Sequence, residues 1–383
     1  MLRFLDAGES HGRCYVGIID GIPAGVEIEM ENINRLLKER QRVYGRGGRM
    51  EIENDEAIIL SGLRGRMTTG GPIGLMIENR DYENWKDFMS PIDGIKGKGG
   101  VTVPRPGHAD LPGILKFGFN DARNILERAS ARQTVIRTAI GGIAMEFLRQ
   151  FDIEVKSHVC SIGGIVSKPN GKDKSFWINV ENSLLRCGDK EAEEKMRAEI
   201  DKAKAMGDTV GGIVEIIVER VPAGIGSHTT WDKRLDTRLA AACMSVQSVK
   251  GVEIGMGFKT AERYGSEVHD EIFYSENGFY RKTNNAGGIE GGISNGEDII
   301  VRCALKPIPT LLKPLNSVDI RSKMSAKAHV ERSDVCAVPA ASVVLKAVVA
   351  WEIAVAFLDK FCGDNIDEVK NAYEHYIKRL NFG

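Results

Sequence analysis

The run Gly8-Glu9-Ser10-His11-Gly12 sets a hydroxyl beside an imidazole, with glycines on either side. A serine next to a histidine first raises nucleophilic catalysis. No third triad member accompanies Ser10, and a triad needs one to orient its base. An imidazole by itself can move protons near neutral pH. Chemistry at this run would therefore not be that of a nucleophilic serine, and the glycines leave the backbone free. A tight turn without chemistry fits the same residues.

A second histidine lies in VPRPGHADLPG, residues 103–113, where Pro104, Pro106 and Pro112 stiffen the chain around Arg105, His108 and Asp110. A histidine fixed beside a carboxylate is an acid/base candidate, and a purely structural histidine is the other reading. Arginines supply the rest. Arg40, Arg42, Arg46 and Arg49 fall within ten positions, interleaved with Gly45, Gly47 and Gly48. The planar guanidinium fork matches phosphate or carboxylate oxygens two at a time. An exposed basic loop or an RNA contact would use the same residues. Arg128 and Arg132 stand four apart on a predicted helix, so they share a face and need a partner: Glu127, Asp121 or a bound anion.

Two C-terminal segments add to the set. LKPIPTLLKP, from Leu305, is too proline-broken for a regular element and fixes Lys306 and Thr310 on a loop. Arg332, Ser333 and Asp334 precede an apolar helix whose N-terminus favours an anion, although capping also accounts for Ser333 and Asp334. The glycine-rich run at residues 284–297 suits either a planar ligand or an open loop. Several arginines and two histidines in glycine-flanked turns suit a small, multiply anionic substrate. The sequence has no phosphate-binding P-loop, no dinucleotide fingerprint and no H-E-x-x-H or clustered His/Cys set, so no metal is expected.

Strands and helices mix along the chain to position these groups. AIILSG from Ala57, PIGLMIEN from Pro72, the β-branched run at residues 211–221 and DIIVRCAL from Asp298 read as strands. The run from Asn120 to residue 151 and the apolar run after Pro339 read as helices. The charged segment at residues 188–208 reads as a solvated helix or lid. No compositional border marks a linker, so one domain over 1–383 is expected. A net charge of −1 gives no basic excess for wrapping nucleic acid. Seven dispersed cysteines without C-x-x-C spacing read as reduced cytosolic thiols. The N-terminal residues lack a secretory apolar stretch. Residues 335–358 contain Pro339, Lys346 and Glu352, which favours a buried helix over a membrane span. A cytoplasmic protein with no membrane partner is expected.

Taken in order, AGESHG, GRGGRMEIENDEAIILSG, TTGGPIGLMIEN, RPGHADLPGILKFG, RASARQT, GIGSHTTWDKRLD, SVKGVEIGMGF, GGIEGGISNGE, KPIPTL and ERSDVCAVPAASVV cover nearly the whole chain. On these motifs the sequence resembles the chorismate synthase family. The resemblance implies a lyase at the last common step of the shikimate pathway to aromatic amino acids. Such an enzyme converts 5-enolpyruvylshikimate 3-phosphate to chorismate and phosphate by 1,4-anti elimination. It needs reduced FMN, with NADPH as an optional reductant. His11 would donate a proton to the phosphate, and His108 would stand by the flavin. Ser10, Ser130 and Asp334 would support proton movement.

By the same resemblance Arg40, Arg46, Arg49, Arg105, Arg132 and Arg332 would line the substrate or NADPH pocket. Ala129, Ser130, Ala131, Arg132, Gln247, Ser248, Gly291, Gly292, Lys306, Pro307, Ile308, Pro309, Thr310 and Arg332 would contact the flavin. The implied fold is an α/β (α+β) sandwich with helices packed between antiparallel sheets, assembled as a homotetramer. The chain departs from common family residues at Gln133, at Gln247-Ser248 and at Lys323-Met324, which bears on the flavin and substrate contacts.

Overall fold

The computed structural model describes residues 1–46, 53–92, 100–169, 171–276, 278–331 and 333–381. One antiparallel sheet holds β1 (Arg3–Ala7), β2 (Cys14–Asp20), β3 (Ile58–Ile59) and β4 (Ile73–Glu78), in the order β1-β2-β4-β3. Alternation does the sorting: Ile73, Leu75 and Ile77 on β4 are buried, while the residues between them are more exposed. The second sheet holds β5 (Glu154–Ile162), β6 (Ile165–Val166), β7 (Gly212–Glu219), β8 (Val249–Ile254) and β9 (Ile299–Leu305). Its order is β8-β9-β7-β5-β6, again antiparallel throughout.

The helices include α1 (Met30–Gln41), α2 (Asp110–Phe117), α3 (Arg123–Ala129), α4 (Thr134–Arg149), α5 (Leu235–Met244) and α6 (Val338–Lys360). Helix α4 packs on β2 and on α6, and α6 packs on β5 and β7, so α4 and α6 lie between the two sheets. This is the α+β sandwich that the resemblance implied. Helix α6 is apolar around most of its circumference, broken by Lys346 and Glu352, which marks a helix largely surrounded by protein. It is long and apolar enough to cross a membrane, but 83% of its most apolar window is buried inside the fold.

The contact of α4 with α6 depends on Gly141. A Cβ built there would fall 2.2 Å from the Ala347 carbonyl oxygen. Gly141→Ala is therefore expected to cost roughly 1–3 kcal/mol through overpacking. A thermal melt several degrees below the parent checks this, and an unchanged melt would show that the helices can part.

Two local expectations change. The run after Asn120 is not one helix: the chain breaks at Ser130, which is extended (φ −60°, ψ 140°), and passes through a 3-10 turn at Ala131–Gln133 before α4. The Ser130 hydroxyl accepts from the Arg132 N–H at 3.2 Å, competing with the helical pattern that periodicity alone would continue. Arg128 and Arg132 consequently do not share a face. Arg128 reaches Asp6 at 2.8 Å, while Arg132 turns the other way. The glycine-rich run is not an open loop either. Gly291 and Gly292 form the turn between two short paired strands, Ile289–Glu290 and Ile293–Ser294, both with positive φ.

Candidate active site

The loops that leave these elements converge on one cavity of about 890 Å³. The β1–β2 turn brings Ser10 and His11, the end of α1 and the chain beyond it bring Arg40 and Arg46, and the break before α4 brings Ala129, Ser130, Ala131 and Arg132. The loop before α2 brings Arg105 and His108. The segment after α5 brings Gln247 and Ser248, the one after β9 brings Lys306, Ile308, Pro309 and Thr310, and Asp334 stands before α6.

Each histidine is held by a buried carboxylate. His11 places Nδ1 2.9 Å from Glu127 Oε1, and its backbone N–H donates to Glu127 Oε2 at 2.8 Å. The Ser10 N–H donates to the Glu127 carbonyl at 3.0 Å, which pins the turn to α3. Asn79 closes the turn from below, donating to the Glu9 and Gly12 carbonyls at 3.1 and 2.8 Å and accepting from Arg132 Nε at 3.0 Å. Gly8, at φ +132°, serves the turn itself, since a Cβ there would lie 2.6 Å from the Tyr15 ring. Trp85 stacks on His11 with centroids 4.0 Å apart. His108 Nδ1 lies 2.5 Å from Asp110 Oδ1, and Asp110 also accepts from Arg105 Nε at 2.8 Å. Burial pushes the Asp110 carboxyl up, but the hydrogen bonds and charges of His108 and Arg105 outweigh it and hold it well below the usual carboxylate range.

The arginines also arrive with partners. Arg132 meets Asp55 at 2.6 Å and Glu53 at 3.3 Å; Arg40 meets Asp55 at 3.4 Å and donates to Thr134 Oγ1 at 3.0 Å. Arg46 meets Asp334 at 3.2 Å, and Arg105 Nη1 donates to Thr310 Oγ1 at 2.9 Å. Burial, and then Arg46 alongside, pull the Arg40 guanidinium down to about 9, with Asp55 opposing them. An arriving anion would relieve that crowding of cations.

Pro307 is off the cavity wall, and so are Gly291 and Gly292. The Gly292 carbonyl accepts from the Leu235 N–H at 2.9 Å, and a Cβ on Gly292 would meet the Arg234 side chain at 2.7 Å, whereas Gly291 has open space around it and serves the turn through its positive φ. Arg49 and Arg332 lie outside the described residues. Two of the departures touch each other: Gln247 Nε2 donates to Gln133 Oε1 at 2.9 Å.

Sequence reasoning missed Glu53, Asp55 and Trp85. The acidic run before β3 reads as solvated charge, and its only hint is that it sits among arginines. Away from the cavity, His158, Cys160 and Glu215 bring their ligand atoms within 4.8 Å of one another. Lys172 already pairs with Glu215, and burial, with Glu215 nearby, pushes the Cys160 thiol up to about 12.

Glu331 on the cavity wall gives the acid response a sign. Burial works upward on its carboxyl, but the His329 hydrogen bond and the charges of Arg123 and Arg105 outweigh it and hold it at about 2, below an ordinary 4.5. A depressed carboxyl stabilises the fold above its unfolded value, and that contribution drains away as pH falls through the folded value. Glu331→Gln is expected to lessen the loss of stability between pH 4.5 and about 2. Denaturant midpoints across that window check it, and an unaltered slope would count against it.

Comparison with known proteins agrees along the whole chain. The family described as Chorismate synthase matches residues 2–358. A chorismate synthase of Caldicellulosiruptor saccharolyticus is 59% identical over 383 residues, covering 99% of this chain and 100% of that protein. One of Alkaliphilus metalliredigens is 54% identical, covering 98% and 99%. A crystal structure of chorismate synthase superimposes with a TM-score of 0.81 at 41% identity, covering 100% of this chain and 99% of the other.

Proposed function

The chain belongs to the chorismate synthase family, and on that premise we propose that residues 1–383 act as one domain that converts 5-enolpyruvylshikimate 3-phosphate to chorismate and phosphate by 1,4-anti elimination. Membership of the family makes this an enzyme of the chorismate synthase type, a shikimate-pathway lyase acting on a small molecule. The proposed reaction is carried by the convergence on one cavity of two carboxylate-held histidines with Arg40, Arg46, Arg105 and Arg132.

The substrate carries two carboxylates and a phosphate, and the guanidinium groups bind and orient them. As the C3–O bond breaks, charge accumulates on the departing phosphate, and a cationic proton donor is worth most at that point. His11 donates that proton, with Ser10 beside it. His108, braced by Asp110 and Arg105, holds a proton in the same cavity. Ser130 and Asp334 assist the proton that leaves C6.

The wall also fits a planar cofactor. Ala129, Ala131, Ala337, Ala340 and Ala341 form a surface of small side chains, and Gln247 Oε1 is a buried acceptor without a hydrogen-bond partner. These residues, with Ser248, Lys306, Ile308, Pro309 and Thr310, would hold reduced FMN. When bound, it lends electron density to the substrate ring as phosphate departs. NADPH is an optional reductant, and the working enzyme is a cytoplasmic homotetramer. Titration of anaerobically reduced FMN, with and without the phosphorylated substrate, tests the shared cavity. The expected result is tighter flavin binding when substrate is present, and identical affinities would contradict a common site.

A further inference from the structure

The geometry around His11 points to a role for Glu127 that goes beyond burial: we propose that Glu127 is a positioning residue that takes the Nδ1–H of His11 and so commits Nε2 to proton transfer in the cavity. The inference rests on the reading of His11 as the proton donor.

Three contacts join residues 116 apart in sequence: the His11 N–H to Oε2 at 2.8 Å, and Nδ1 to Oε1 and Oε2 at 2.9 and 3.1 Å. A single carboxylate thus grips both the backbone and the ring of one residue, which fixes the imidazole in position and in rotation. Trp85 lies against the ring face, tilted by 26°, and limits the remaining freedom. The Glu127 side chain is 1% exposed, so water does not compete for its oxygens. Burial pushes its carboxyl up, and the hydrogen bonds and charge of His11, with Arg123, more than reverse this, leaving it an ionised acceptor. Among the described residues, two further charged side chains and one histidine stand around this pair. Arg123 lies 3.2 Å from Glu127 and 2.9 Å from Glu331, with its guanidinium 5.4 Å from the Trp85 ring centre, and His329 pairs with Glu331 at 3.2 Å.

The chemistry follows from the tautomer. As an imidazolium, His11 donates a hydrogen bond from Nδ1–H to Glu127 and transfers its Nε2 proton to the leaving phosphate oxygen. Once that proton has gone, the neutral ring keeps hydrogen on Nδ1, because an ionised carboxylate can only accept. Nε2 is then the basic nitrogen and can be reprotonated for the next turnover. A glutamine at 127 could turn its amide N–H toward Nδ1 and favour the opposite tautomer, in which Nε2 keeps its hydrogen when the ring is neutral.

The test compares Glu127→Gln, Glu127→Asp, His11→Ala and the double variant His11→Ala/Glu127→Gln, assayed anaerobically with reduced FMN across pH. Glu127→Gln should lower kcat by roughly 10²–10⁴-fold with KM little changed. The alkaline limb of its kcat profile should move to lower pH, because an imidazolium without its anionic partner is less favoured. Glu127→Asp should recover part of the rate, and in the His11→Ala background Glu127→Gln should cost nothing further. Additive losses, or a rate loss with an unmoved pH profile, would reduce Glu127 to a structural role and overturn the proposal. If Glu127→Gln does not fold, Glu127→Asp in both backgrounds gives the same comparison. Wild-type turnover in His11→Ala would instead sink the reading of His11 itself, and the two failures are told apart by that single variant.

Discussion

His11→Ala is expected to lower turnover with reduced FMN by roughly 10²–10⁴-fold, the usual span for losing a positioned general acid. The fold should survive the change. The backbone N–H of residue 11 is retained, so its bond to Glu127 Oε2 persists, as does the Ser10 N–H bond to the Glu127 carbonyl. Arg123 still neutralises the carboxylate at 3.2 Å. The lost parts are the ring contact with Glu127 and the stack with Trp85. Steady-state turnover measured beside a thermal melt separates chemistry from stability. A parental rate in a folded variant would remove His11 from the reaction.

Asp55→Ala should have the largest effect on stability. Asp55 is 1% exposed and joins two buried arginines, Arg132 at 2.6 Å and Arg40 at 3.4 Å. Without it, two guanidinium groups are left close together in a low-dielectric setting, with Glu53 at 3.3 Å as the remaining counter-charge on Arg132. Removing one partner from a buried ion pair costs about 3–5 kcal/mol. Both arginines also line the cavity, so KM for the anionic substrate should change along with stability. Urea unfolding and KM, measured on one preparation, check the pair of effects. A loss below about 1 kcal/mol would mean that these charges behave like a solvent-exposed pair.

The side chains proposed for the chemistry were more legible in the sequence than those that hold them. His11, His108 and the arginines stand in glycine- and proline-flanked turns, where local sequence already indicates a fixed backbone. Glu127 carries no such mark. It sits in a helical run like any solvated glutamate, and its partner is 116 residues away. Asp55 and Glu53 were hidden for the same reason, since an acidic run before a strand looks like a soluble edge. The helix break at Ser130 was also invisible to periodicity. Apolar spacing continues through it, and only the hydroxyl bond to the Arg132 N–H shows why the chain turns. Gly291 and Gly292 were read as flavin contacts, and both also take positive φ in the turn between two short strands, so the turn itself calls for glycine there. The strands at residues 211–221 and from Asp298 followed from β-branched patterning, and they became β7 and β9. Their assembly into two sheets around α4 and α6 followed from the family resemblance, because pairing partners far apart leave no local signal.

The most direct measurement is an anaerobic reaction of the purified chain with 5-enolpyruvylshikimate 3-phosphate and chemically reduced FMN, without NADPH, following phosphate and chorismate together. The account predicts that both appear in equal amounts over many turnovers and that neither appears with oxidised FMN. Phosphate release without chorismate, or equal rates with oxidised and reduced flavin, would contradict it.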